Sequence, residues 1–88
     1  MQGLVADTNP VTQRVLANLL IYCGHSAAAF AGNPGATWRF VQDIQPDFVL
    51  VDWEIISHDN FKLLKQASSS QVLSRIPFLI MVPGLDPN

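Results

Sequence analysis

The sequence is poor in charged side chains. Only 14% of its 88 residues are charged, whereas 49% are apolar. The five Lys and Arg residues do not cluster, and the formal net charge is −2. Nucleic acids and anionic membranes are bound through clusters of basic side chains. We therefore expect neither a nucleic acid nor a membrane surface as a direct partner.

Cysteine and long apolar runs are also scarce. Cys23 is the only cysteine, so an internal disulfide framework and a cysteine-based zinc site are excluded. No apolar segment approaches the ~20 residues that a membrane-spanning helix needs. The N-terminus has no basic region before an apolar stretch, as a signal peptide would. We expect a cytoplasmic protein with one domain over residues 1–88.

The most informative stretch is an apolar run, Phe48-Val-Leu-Val, that ends in Asp52-Trp-Glu54. Such a run, opened by Pro46-Asp47, is typical of a strand buried on both faces of a parallel sheet. Asp52 stands where this strand ends. Because open parallel sheets bind ligands beyond the carboxyl ends of their strands, Asp52 is a candidate functional residue. The alternative is an acid that only solvates the strand end.

Strands and helices alternate along the rest of the chain. Other apolar runs predict strands over residues 3–6, 25–31 and 78–82, the last one ended by Pro83-Gly84. Helices are predicted from Asn9-Pro10 to Gly24, over residues 36–44, and from residue 61 to about residue 70, with a loop over residues 56–60. Alternation of this kind indicates right-handed crossovers and a parallel sheet.

The first helix is predicted from a regular apolar spacing. Val11, Val15, Leu19 and either Tyr22 or Cys23 recur at helical intervals. Cys23 is accordingly expected in the core.

Two other segments offer weaker candidates. The residues Gly32-Asn-Pro-Gly35 predict a turn; a phosphate cradle is the alternative, but Pro34 lacks one of the needed N–H donors. His25 and His58 are expected to be solvated loop residues rather than metal ligands.

Four segments together resemble the receiver domain of two-component response regulators. They begin at Leu4, Pro46, Asp59 and Ile76, and they read LVADTNP, PDFVLVDWE, DNFKLL and IPFLIM. The resemblance spans nearly the whole chain in the family's order. It implies an α/β fold, a flavodoxin-like doubly wound parallel sheet of strand order 2-1-3-4. The fifth strand and the last two helices of the family would be lacking, so that residues 1–88 form a receiver-like domain truncated at its C-terminal end.

The resemblance also implies a function in a phosphorelay. Asp52 matches the phosphoacceptor of the family, which receives its phosphoryl group from a sensor histidine kinase or a phosphotransfer protein. Mg²⁺ would be held by Asp7, Asp52 and the backbone carbonyl of Glu54, with Thr8 as a weaker ligand. The chain would be a signalling module and not an enzyme.

Ile56 and Asn60 stand where the family has a proline and a glycine after the phosphoacceptor, and two further departures concern the site itself. Thr8 stands where the family has a second acid, which should weaken Mg²⁺ binding because a neutral hydroxyl is a poorer ligand for a hard cation. Val82 stands where the family has a hydroxyl that bonds the phosphoryl group. These departures favour an alternative, a pseudo-receiver that serves as a docking or dimerisation module. A third alternative, an enzyme or flavin-binding domain on the same fold, lacks a Gly-rich loop and a nucleophile-base pair.

The expected truncation has a consequence for association. Without the fifth strand, the last strand would expose a flat apolar edge, and one face of the sheet would be half covered. We therefore expect that the 88-residue chain is not a stable monomer. It would form a homodimer through that edge or face, swap elements with a second copy, or belong to a longer chain.

Overall fold

The computed structural model describes residues 1–82, so the predicted end of the last strand at Pro83-Gly84 lies outside the described residues. The elements, in chain order, are β1 (Gln2–Ala6), α1 (Pro10–Tyr22), β2 (Ser26–Ala31), α2 (Pro34–Ile44), β3 (Phe48–Asp52), α3 (Trp53–His58), α4 (Lys62–Ser68), a 3₁₀ helix (Leu73–Arg75) and β4 (Phe78–Met81). None of the helices in residues 1–82 has the length and hydropathy that crossing a membrane requires.

The four strands form one parallel sheet in the order β2-β1-β3-β4. This confirms the predicted fold class and strand order. β1 and β3 occupy the centre of the sheet, where Leu4, Val5, Val49 and Val51 are fully buried. The register pairs Ala6 with Val51, so β1 and β3 end side by side.

The two faces of the sheet are covered unequally. The larger apolar cluster lies under α2, α3 and α4 and includes Val49, Val51, Val41, Ile55 and Leu63. The cluster on the other face is small. It consists of Val5, Phe48 and Leu20 of α1, with Leu16, Ala27 and Leu50 packed against it.

Asn-Pro pairs begin both long helices. The side chain of Asn9 accepts a hydrogen bond from the N–H of Val11 at 2.8 Å, and Asn33 accepts one from Ala36 at 2.8 Å. A proline follows each cap, where its fixed φ suits the helix and its missing N–H costs nothing. The predicted start of α1 is therefore confirmed. Asn33 and Pro34 have the same roles in α2, which begins at Pro34, two residues before the predicted start. The predicted turn over residues 32–35 therefore ends at Asn33.

The side chains whose spacing predicted α1 do not face the sheet. Val11, Val15, Leu19 and Tyr22 form an exposed apolar stripe, with Val11 70% and Tyr22 90% accessible. The prediction that Cys23 is a core residue was wrong, because this cysteine is exposed. The helix instead turns Leu16 and Leu20 toward the sheet.

The loop predicted over residues 56–60 was wrong for residues 56–58, since Trp53–His58 form the short helix α3, and His58 therefore lies in a helix and not in a loop. Ile55 and Ile56 are both fully buried, and a helical turn is the local structure that puts both side chains under the sheet edge. The chain then reverses through Asn60 and Phe61, which have φ angles of 55° and 63°. These left-handed conformations are uncommon for non-glycine residues, and they separate α3 from α4.

Candidate functional site

The two acids singled out in the sequence lie at the same edge of the sheet. Asp52 is the last residue of β3, and Asp7 directly follows β1. Because Ala6 pairs with Val51, the next residue on each strand is one of these acids. The parallel sheet therefore brings together two carboxylates that are 45 positions apart in the sequence. This edge is the one at which open α/β sheets bind ligands.

Asp7 is held rigidly. It is only 5% exposed, and its Oδ1 accepts the N–H of Asn9 at 2.8 Å. Its own N–H donates to the carbonyl of Ala31 at 2.9 Å. Its backbone carbonyl accepts a hydrogen bond from the Gln13 side-chain amide at 2.7 Å. The turn before α1 and the helix itself thus fix the position of this carboxylate.

Asp52 carries an unneutralised charge. Partial burial raises the pKa of its carboxyl above the ordinary value of 3.8, and repulsion from Asp7 and then from Glu54 raises it further. The N–H groups of Glu54 and Trp53 lower the pKa slightly, although the Asp52 side chain makes no capping hydrogen bond of normal geometry to α3. No basic side chain in residues 1–82 contributes to this shift. The site is therefore electronegative and suited to a cation.

Thr8 and Glu54 connect the end of β1 to α3. The Thr8 hydroxyl donates to Glu54 Oε2 at 3.3 Å, and both residues are exposed. Because the Thr8 hydroxyl donates its proton in this bond, its oxygen lone pairs stay available to a cation. Its role as a weak ligand stays a prediction.

The backbone carbonyl of Glu54 already has hydrogen-bond donors within α3. It accepts His58 Nδ1 at 2.8 Å and the Ser57 hydroxyl at 3.4 Å. Helical carbonyls point toward the C-terminal end of a helix, whereas Asp52 lies before the N-terminal end of α3. The structure therefore directs this oxygen away from the acid pair. Its role as a metal ligand stays a prediction that requires the first turn of α3 to rearrange.

Side chains alone do not form a complete metal cage. Within residues 1–82, no three His, Cys, Asp or Glu side chains lie close enough together to hold one metal ion. Asp7 and Asp52 supply only two carboxylates. Mg²⁺ differs from zinc in retaining several waters when it is bound through one or two carboxylates, so this pair fits Mg²⁺ chemically.

The structure adds two neighbours that the sequence reasoning missed. The side-chain amide of Gln13 donates a hydrogen bond to the Asp7 carbonyl. The only feature of the sequence that could have indicated this contact is the position of Gln13 one turn into α1. Phe61 packs edge-on against Trp53, with ring centroids 5.6 Å apart. The sequence had no signal for that contact, because it depends on the left-handed conformation of Phe61. Trp53 is thereby held beside Asp52.

Solved structures share this sheet and this arrangement of strand ends. The response regulator domain of CheB from Thermotoga maritima has a TM-score of 0.78 and 16% identity, over 93% of this chain and 60% of that chain. A response regulator receiver protein from Pseudomonas putida also has a TM-score of 0.78 and 16% identity, over 97% and 69%. This chain has the fold of a response regulator receiver domain. The predicted resemblance is confirmed at the level of the fold.

A third similar structure has the same receiver fold. It is the signal receiver domain of a modulated diguanylate cyclase from Desulfovibrio desulfuricans G20, with a TM-score of 0.79, 17% identity, and coverage of 97% of this chain and 66% of that chain. No protein-family model and no curated protein sequence matches this chain. The chain spans 60 to 69% of the length of the three solved structures. At such low identity the likeness concerns the fold alone.

Proposed function

We propose that the chain is a receiver module of a phosphorelay and accepts a phosphoryl group on Asp52. The donor would be a sensor histidine kinase or a phosphotransfer protein in the cytoplasm. One observation carries the proposal: Asp52 and Asp7 lie side by side where the two central strands end, and partial burial together with repulsion from Asp7 raises the pKa of Asp52. Carboxyl groups whose pKa is shifted by burial and by a neighbouring charge cluster at functional sites, so this arrangement favours a functional site.

The chemistry that Asp52 would perform is nucleophilic. A carboxylate oxygen of Asp52 would attack phosphorus as the bond from phosphorus to the donor breaks, and the donor would keep the electron pair. The side chain is partly exposed at the end of β3, where a donor protein can reach it. Asp7, which is buried and hydrogen-bonded, would keep its position during the transfer.

The electronegative pair of Asp7 and Asp52 would hold Mg²⁺, with the Glu54 carbonyl and Thr8 as further candidates. Bound there, Mg²⁺ would neutralise negative charge on the phosphoryl oxygens and on the two acids. The affinity should be weak, because the Thr8 hydroxyl supplies no negative charge to the cation.

The direct test is phosphorylation with a small-molecule phosphodonor and Mg²⁺, followed by intact-protein mass spectrometry. One phosphoryl group should be added to the natural chain and none to Asp52→Asn. The matched control is Asp43→Asn, which removes an exposed acid on α2 and should be phosphorylated normally. A folded natural chain that gains no phosphoryl group would contradict the proposal.

One observation favours the alternative, a pseudo-receiver that docks or dimerises without phosphorylation. The residue beside Asp7 is Thr8, and its hydroxyl bonds Glu54 and does not add charge to the acid pair. Under this alternative, titration with Mg²⁺ would leave the fluorescence of Trp53 unchanged, and the phosphodonor would leave the mass unchanged. Under the main proposal, both would change.

A further inference from the structure

The edge of the sheet at β4 is an unpaired strand. Within residues 1–82, β4 pairs only with β3, because it ends the strand order β2-β1-β3-β4. We propose that two copies of this chain pair through this edge in antiparallel orientation and join their sheets into one of eight strands. The proposal is independent of phosphorylation and of Mg²⁺.

Alternate residues of β4 present their backbone groups to the edge. The N–H of Val49 in β3 donates to the carbonyl of Pro77 at 2.9 Å, so odd-numbered residues of this segment face β3. Because backbone groups alternate along a strand, Phe78 and Ile80 direct their N–H and C=O groups outward, and Val82, directly after β4, would continue this alternation in the paired strand. These groups are available for a second strand.

The chemistry of the segment favours pairing. Residues 76–82 contain no charged side chain, and Leu79, Ile80 and Val82 are 52%, 37% and 65% exposed. Exposed edges are normally blocked by charges, by a proline inside the strand or by a bulge. The only such device here is Pro77, which lies before β4. The absence of charge also means that two such edges would not repel one another.

The opposite edge of the sheet is a poorer candidate. β2 has the sequence SAAAFA, so most of its side chains are methyl groups that bury little area in an interface. Ala28, in its middle, is exposed and provides a matched position for controls. The apolar stripe lies on the solvent side of α1, and this helix packs mainly on β1 and β2, away from the β4 edge.

Symmetry restricts the register of the pairing. The two copies would be related by a two-fold axis perpendicular to the sheet, so the same face of both sheets lies on the same side of the joined sheet. Residues that are opposite each other across the two β4 strands therefore point to the same face. Placing Ile80 opposite Ile80 of the second copy also sets Phe78 opposite Val82, and all the outward residues then exchange hydrogen bonds. A register centred on Leu79 would set Val82 opposite Ile76, whose N–H is already donated to the carbonyl of Leu73 at 3.1 Å. The first register is therefore the one we propose.

The size of this interface sets the expected strength. Five paired residues at ~3.4 Å each form a seam of about 17 Å. A seam this short belongs with the weak, transient interfaces, which bury less than about 1,200 Å² in total. We therefore expect a dimer that dissociates on dilution through the micromolar range.

Sedimentation equilibrium of the 88-residue chain over a range of concentrations tests this dimer. The natural chain should show a reversible equilibrium between monomer and dimer. Ile80→Lys places two like charges opposite each other and should give a monomer. Ala28→Lys adds the same charge to the β2 edge and should dimerise as the natural chain does. Because Ile80 also packs partly inside the protein, Val82→Lys, at a more exposed position opposite Phe78, should give the same monomer without a folding defect.

Cross-linking tests the register. In a background that carries Cys23→Ser, Ile80→Cys should be joined to a second copy by a short bis-maleimide, since Cα atoms of a hydrogen-bonded antiparallel pair are about 5.5 Å apart. Ala28→Cys in the same background should not be joined.

Three results would overturn the proposal. The first is a monomer at every concentration, and the second is a higher oligomer. The third is a dimer that survives Ile80→Lys and Val82→Lys but is lost when Val15 of α1 is changed to Lys. That result would assign the contact to the α1 stripe.

Discussion

The ring of Phe48 fills the space that a side chain at Gly3 would need. These residues pair directly across β1 and β3, and a Cβ at Gly3 would overlap Cε2 and Cζ of the ring. Glycine at this position therefore allows an aromatic side chain to lie across the central strand. The Phe48 ring is part of the small apolar cluster under α1.

Gly3→Ala should accordingly destabilise the protein by about 1–3 kcal/mol, the usual effect of overpacking a core. Gly32→Ala is the control, because no atom lies within 4 Å of a Cβ at Gly32. The free energy of unfolding in urea, followed by Trp fluorescence, measures both. Equal effects of the two substitutions would mean that the Phe48 ring does not pack over Gly3.

Asp52→Asn should make the stability less dependent on pH. Burial and the neighbouring acids raise the pKa of Asp52 above 3.8 in the folded chain, so the folded state binds more protons than the unfolded state just above pH 3.8. The unfolding free energy therefore falls as the pH rises through this interval. The asparagine variant has no charge to bury, so it should be more stable than the natural chain at neutral pH. This advantage should disappear below pH 3.8.

Urea unfolding at a series of pH values, without divalent cations, measures that difference. Asp43→Asn, at an exposed position on α2, controls for the loss of one negative charge. A neutral-pH stability of Asp52→Asn below that of the natural chain would contradict the argument.

Thr8→Asp should strengthen Mg²⁺ binding. The substitution replaces a neutral hydroxyl, now bonded to Glu54, with a charged oxygen beside Asp7. Each 1.4 kcal/mol gained corresponds to about a tenfold lower dissociation constant. Without Mg²⁺ the same variant should be less stable, because the new acid is repelled by Asp7, Asp52 and Glu54.

Titration of Trp53 fluorescence with Mg²⁺ measures the affinity, since this indole lies next to Asp52. Asn18→Asp, an exposed acid on α1, is the control for added charge and should leave the affinity unchanged. An unchanged affinity in Thr8→Asp would mean that Asp7 and Asp52 do not form a cation site.

The sequence predicted the sheet but not every helix. Each strand of the sheet is an apolar run bounded by turn residues, so all four were predictable. In α1, however, the apolar residues Leu16 and Leu20 are four positions apart, the same spacing that relates Val11, Val15 and Leu19. Periodicity alone cannot tell which of these two sides meets the sheet, and for this reason Cys23 was misplaced. α3 was missed because the adjacent pair Ile55 and Ile56 has neither helical nor strand spacing, and only packing under β3 makes it helical.

The candidate site was predictable where it depends on the strands and unpredictable where it depends on α3. That Asp7 and Asp52 meet follows from the parallel strand order, which the resemblance implied. The bond between Thr8 and Glu54 and the direction of the Glu54 carbonyl depend on α3, so they could not be predicted once α3 was missed.

The two sides of α1 should respond differently to substitution. Leu20 is 8% exposed and packs against the sheet, so Leu20→Ala should cost about 2–5 kcal/mol. Val15 is 52% exposed, so Val15→Gln should change the stability by no more than about 0.5 kcal/mol. Urea unfolding of dilute protein distinguishes them. A large loss in Val15→Gln would mean that another part of the protein covers the stripe.

The central position of β1 affects how the chain folds during synthesis. This strand emerges from the ribosome before its partner β3, which lies some 45 residues later in the sequence. Synthesis proceeds at about 5–20 residues per second, so the apolar side chains of β1 stay unpaired with β3 for several seconds. Because the sheet closes only through contacts distant in sequence, folding should be slow for a chain of this size. The nascent chain is therefore exposed to aggregation and to chaperone binding until residue 52 has emerged.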